Sequence, residues 1–83
     1  MARVLLLEYN DAWTIVMRLL LRGRGHTVHP LASNELTEEA IRRLSEICEE
    51  KEIDIIVFHL PEDFYRLFLD QVTTPPLERT YLF

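Results

Sequence analysis

One cysteine, two glycines, one lysine and one tryptophan in 83 residues leave out several classes of protein. With Cys48 alone, no internal disulfide can form, which fits a reducing compartment. No apolar run approaches the eighteen or so residues that cross a bilayer, and Arg3 leads into an apolar run without a small-residue cleavage site. We therefore expect neither a signal peptide nor a membrane span, a cytoplasmic location, and a chain that begins at its own Met1 rather than a fragment of a longer one. Positive charge is also scarce: 14 acidic residues against 9 basic ones give a net charge of −5. Acids gather between Glu35 and Asp54 while the arginines are scattered, so no basic stripe exists to displace counterions from a phosphate backbone, and direct nucleic-acid binding is disfavoured.

What is present is a packing composition. Apolar residues make up 48% of the chain and charged residues 28%, which suits a folded unit of 9.9 kDa. A single domain of this size buries only about 60–65% of its unfolded surface.

Val4 to Leu7 is apolar at successive positions, as in a strand covered on both faces. Asn10 or Asp11 can cap a helix from about Ala12 to Arg22, in which Ile15, Val16, Leu19 and Leu20 recur at helical spacing, and Gly23 and Gly25 stop it. Thr27 to Leu31 reads as an edge strand because Pro30 cannot donate to a ladder. Thr37 starts a second helix with Ile41, Leu44, Ile47 and Cys48 inside and its charges outside. Ile53 to Phe58 is a third strand, and after Pro61 the positions Phe64, Leu67, Phe68 and Val72 mark a third helix over Glu62 to Val72. Pro75 and Pro76 end it, and residues 73–83 form a last short strand or a tail.

The order βαβαβα(β) predicts an α/β fold, an open parallel sheet in three layers with strand order 2-1-3. Function in such sheets collects at the carboxyl ends of the strands. Here those ends carry Glu8-Tyr9-Asn10-Asp11 and His59-Leu60-Pro61-Glu62.

The segments VLLLEYND, RGRGHTV and DIIVFHLPED resemble the first half of the receiver domains of two-component response regulators, over about residues 3–72. The resemblance puts Glu8 on the first acid of the family's metal-binding pair, Tyr9 on the second, and His59 on the phospho-accepting aspartate, with Pro61 two residues on. The family's later hydroxyl residue and lysine have no counterpart, since the single lysine is Lys51. The resemblance thus implies a truncated, degenerate receiver whose former pocket holds Glu8, Tyr9, Asp11 and His59, with no catalytic residue, metal or cofactor. The physical reading agrees, because phosphoryl transfer to a carboxylate needs an anionic nucleophile and a hard cation held by oxygens.

The expected function is that of a phosphorylation-independent interaction or dimerisation module in signalling or transcription control, and not an enzyme. The alternative is a small regulator using Glu8, Asp11 and His59 for metal binding or phosphoryl acceptance. His26 and His29 are expected at the surface, and Cys48 in the core. An uncovered third strand would present unpaired backbone groups. The tail, a second copy or another protein must cover it. Aromatics concentrate in the last third of the chain, which favours a homodimer, or a complex with another regulatory protein, through Ile55, Val57, Phe64, Tyr65, Phe68, Tyr81, Leu82 and Phe83.

Overall fold

The computed structural model of the chain describes residues 1–72 and 80–82. Four strands, β1 (Arg3–Glu8), β2 (Thr27–Leu31), β3 (Ile55–His59) and β4 (Thr80–Leu82), form one sheet in the order β2-β1-β3-β4, with every pairing parallel. The predicted 2-1-3 order is present, and β4 adds a strand beside β3. The tail thus covers the β3 edge itself, which removes the exposed edge from which association was expected. Pro30 lies in β2 at the opposite edge of the sheet, where a missing N–H is tolerated.

Residues of alternate parity serve two faces, as the pleat requires. Leu5, Leu7, Ile56 and Phe58 pack with Leu36, Ile41, Leu44 and Phe68 in one buried cluster under α2 (Glu38–Arg42), α3 (Leu44–Glu50) and α4 (Glu62–Val72). Val4, Leu6 and Val57 face the other way, toward Met17 and Leu21 of α1 (Asp11–Gly23). The architecture is helices, sheet, helix.

Three boundaries differ from expectation for local reasons. Helix two is split at Arg43, whose φ of −101° and ψ of 16° break the run, although Ile41 and Leu44 remain inside as the spacing required. Strand β3 begins at Ile55 rather than Ile53. The Ile53 N–H bonds the Cys48 carbonyl at 2.9 Å and the Glu52 N–H bonds Glu49 at 3.3 Å, which closes α3 with Glu52 at φ 54° in the left-handed position usually held by glycine. Asp54 is tied to Arg3 in both directions, Asp54 N–H to the Arg3 carbonyl at 2.8 Å and Arg3 N–H to the Asp54 carboxylate at 2.9 Å. At the end of α1 the same motif uses Gly25 at φ 88°, whereas Gly23 is the last helical residue.

The largest departure concerns α1. Its spacing is helical, but Ile15, Val16, Leu19 and Leu20 do not face the sheet; Thr14, Met17, Arg18 and Leu21 are the half-buried side, and no residue of the helix is fully buried.

Candidate functional site

The carboxyl ends of β1 and β3 bring Glu8 and His59 side by side, in register across the parallel pair. Glu8 is the one buried charged residue of the described core, at 0% exposure. A buried carboxylate needs donors. It has two: the Asn10 N–H reaches Oε1 at 2.9 Å, and His59 Nδ1 lies 3.2 and 3.1 Å from Oε1 and Oε2. Toward an ionised carboxylate, which only accepts, Nδ1 is the donor. The imidazole itself is more than half exposed, so the pair runs from the interior to solvent.

Asn10 then caps α1, its side-chain oxygen accepting from the N–H groups of Ala12 at 2.9 Å and Trp13 at 3.3 Å. Thr14 Oγ1 donates back toward the Glu8 carbonyl at 3.3 Å. The short segment from Glu8 to Thr14 is thereby fixed by its own side chains. Around it lies an open cleft of about 230 Å³ lined by Glu8, Tyr9, Asn10, His59, Leu60 and Pro61.

The four residues expected in the pocket do not converge. Glu8 and His59 meet. Tyr9 is exposed and its ring tilts toward Phe64 at 6.1 Å. Asp11 turns to the loop after β2, where it accepts from the Ser33 N–H at 3.3 Å and the Ser33 hydroxyl at 3.1 Å. Lys51 sits at the other end of the strands, its carbonyl accepting from Arg3 Nε at 2.8 Å. Among the described residues, no group of three His, Cys, Asp or Glu side chains could hold a metal ion. What the Glu8–His59 pair can do chemically is orient an imidazole, as a carboxylate does in a hydrogen-bonded dyad.

The residues expected at an interface are used differently. Phe68 is fully buried, its ring 4.2 Å from Phe58, and Val57 is in the core under α1. Both are therefore corrected to internal packing positions, because a side chain sealed in its own core offers nothing to a partner. The Tyr65 ring lies tilted against Phe58 at 5.8 Å, and Phe64, Tyr65 and Ile55 are half-buried against the two clusters. Tyr65 and Phe68 thus hold α4 to the sheet through Phe58. Tyr81 and Leu82 contribute backbone pairing to β3 through β4; their side chains, and Phe83, lie outside the described residues.

His26 and His29 are half-buried rather than superficial. His26 Nδ1 accepts from the Ala2 N–H at 3.1 Å. His29 has its basicity lowered by burial and then by the nearby cations Arg3 and Lys51. Cys48 is half-buried in the core cluster, and burial pushes its thiol up to about 11.

The sequence offers Trp13 either as an exposed contact or as a shield over the strand-end pocket; the feature it did not disclose is the apolar outer face of α1 that Ile15, Val16, Leu19 and Leu20 form beside Trp13. Trp13, Ile15, Val16, Leu19 and Leu20 are between 43% and 62% exposed. A signal was available: residues 15–21 read IVMRLLL, apolar around nearly the whole helix, and such a helix needs cover on more than one side. No helix among the described residues is long and apolar enough to cross a membrane. No family model, no curated protein and no solved structure matches the chain.

Proposed function

We propose that this chain is a non-catalytic protein-interaction module of the cytoplasm, derived from a receiver-like fold and independent of phosphorylation. One observation carries the reading: α1 lays only one side on the sheet and leaves five large apolar side chains in solvent. Contiguous exposed apolar surface on a small domain marks an interaction site. The strand-end pocket supports the same reading, because its buried carboxylate is engaged by Asn10 and His59 and its second acid position is the exposed Tyr9. A role in signalling or transcription control follows from the receiver resemblance alone.

The test is photo-crosslinking in cells that produce the chain, with a photoreactive residue at position 19 on α1 or position 46 on the exposed side of α3. Adducts at 19 and none at 46 support an interaction surface on α1. Equal or absent adducts at both positions overturn it.

A second reading draws on the Glu8–His59 contact, which orients a half-exposed imidazole that could accept a phosphoryl group. It requires a mass gain with a small-molecule phosphodonor that disappears in His59→Ala. An unchanged intact mass removes it.

A further inference from the structure

The outer face of α1 has an order of apolar and charged residues that fits a second copy of itself. We infer that two chains associate through α1 packed antiparallel on α1, in a two-fold symmetric dimer. This rests on the reading of α1 as an interaction surface and names its partner.

Three observations lead there. First, the exposed large apolar residues among those described are Met1, Tyr9, Leu69 and the five on α1, so among the described residues the one contiguous apolar surface that could cover α1 on another copy is α1 itself. Second, the area is of the right order. The five exposures amount to about 500 Å² of apolar surface, and two such patches meeting occlude at most about 1,000 Å², the size at which specific interfaces begin. A dimer of this size is concentration-dependent rather than permanent.

Third, the charges are placed for it. Asp11 and Arg22 stand three helical turns apart on one flank of the apolar face, while Trp13 and Leu20 stand two turns apart on the other. A two-fold axis perpendicular to antiparallel helices brings each flank against the same flank of the second copy. Asp11, whose carboxylate also accepts from Ser33 of its own chain, then stands opposite Arg22 of that copy, Trp13 stands opposite Leu20, and Val16 and Leu19 lie near the axis. The acidic side chains Glu38, Glu39, Glu46, Glu49 and Glu50 belong to α2 and α3 on the far side of the sheet, so the dimer keeps its net negative surfaces apart.

The experiment uses the full chain carrying Cys48→Ser, with single cysteines introduced by Val16→Cys or Asp11→Cys, and a mixture of Asp11→Cys with Arg22→Cys. Mild oxidation is expected to cross-link Val16→Cys with itself and the Asp11→Cys and Arg22→Cys pair with one another, while Asp11→Cys alone stays monomeric. Sedimentation across a hundredfold dilution is expected to show a reversible dimer whose dissociation constant rises about thirtyfold or more in Leu19→Glu. Because Leu19 is 62% exposed, that variant keeps the fold, checked by an unchanged urea midpoint at low protein concentration. A folded monomer at all concentrations with no cross-link at Val16→Cys overturns the dimer. If position 19 then still gives adducts with other molecules in cells, the interaction surface stands and only the second copy as its partner is wrong. Binding of the chain to anionic lipid vesicles through Trp13, with no dimer, equally overturns it in favour of a membrane surface. Cross-linking of Asp11→Cys with itself overturns the antiparallel arrangement.

Discussion

The pair at the strand ends can be dissected by a double-mutant cycle. Glu8 is fully buried and receives two donors, one from Asn10 and one from His59. Replacing His59 by Ala leaves the carboxylate with the Asn10 N–H alone. A hydrogen bond to a charged group contributes about 1.5–3 kcal/mol, but the imidazole side is open to solvent and a water can take its place, so we expect a loss of about 1–2 kcal/mol. Glu8→Ala removes both bonds and opens a small void, for about 2–3 kcal/mol. Since His59 rehydrates easily once Glu8 is gone, the double variant should lose less than the sum, with a coupling of about 1 kcal/mol. His59→Asp sets a second carboxylate against the buried one and should destabilise more than Ala, because like charges at hydrogen-bond distance oppose ionisation of both. A chain of this length holds about 4–12 kcal/mol in all, so these losses move a urea midpoint measurably. Strictly additive single losses, or a His59→Asp no worse than Ala at pH 7, would show that the two side chains do not act as a pair.

Four other consequences can be measured. Phe68→Ala should lower stability by about 3–5 kcal/mol through the void left beside Phe58, and an unaltered melting curve would return Phe68 to the surface. Glu52→Gly should raise stability by about 1 kcal/mol by relieving a left-handed residue, net of the freedom glycine adds to the unfolded chain; a loss would mean that the Glu52 side chain holds the α3 turn. His29 has its folded pKa below the ordinary 6.5, so the unfolded chain binds its proton first: the contribution is complete above pH 6.5 and is lost as pH falls from there toward the folded pKa. The difference in unfolding free energy between wild type and His29→Phe should therefore change over that window and be flat above it, and a flat difference throughout contradicts the assignment. Cys48, at about 11, should react with a thiol reagent at pH 8 only after urea unfolding, and rapid labelling of the native chain would contradict its place in the core.

Much of this fold is legible because parallel strands covered on both faces are apolar without interruption. Val4–Leu7 and Ile55–Phe58 each read that way, and Thr37 and Glu62 mark helix starts that the structure keeps. Strand ends are less legible. Whether Ile53 pairs or turns depends on Glu52 adopting a left-handed conformation, for which a glutamate carries no signal. Within the site, two carboxylates and a histidine in the right segments were not enough to say which would meet. Glu8 and His59 do, because parallel register sets them opposite, while Asp11, one position into α1, is directed at Ser33 by the helix itself.

The two apolar-rich helices show why composition misdirects the search for a surface. The aromatics of α4 looked like an interface because aromatics are enriched there, yet a helix lying on a sheet strand needs bulky side chains for that contact, and Phe68, Tyr65 and Phe64 make it with Phe58 and Tyr9. In α1 the aliphatics recur at helical spacing, yet a helix packed on a single sheet face without a neighbouring helix can bury only one side. Sequence periodicity cannot tell the buried side from the other when both are apolar; the deciding fact is how many elements the chain supplies to cover it. On that face of the sheet, α1 is the sole helix among the described residues, so Ile15, Val16, Leu19 and Leu20 remain outside whatever their hydrophobicity. Their retention in solvent is therefore a property of topology, and relieving it requires something from beyond the chain's own described elements.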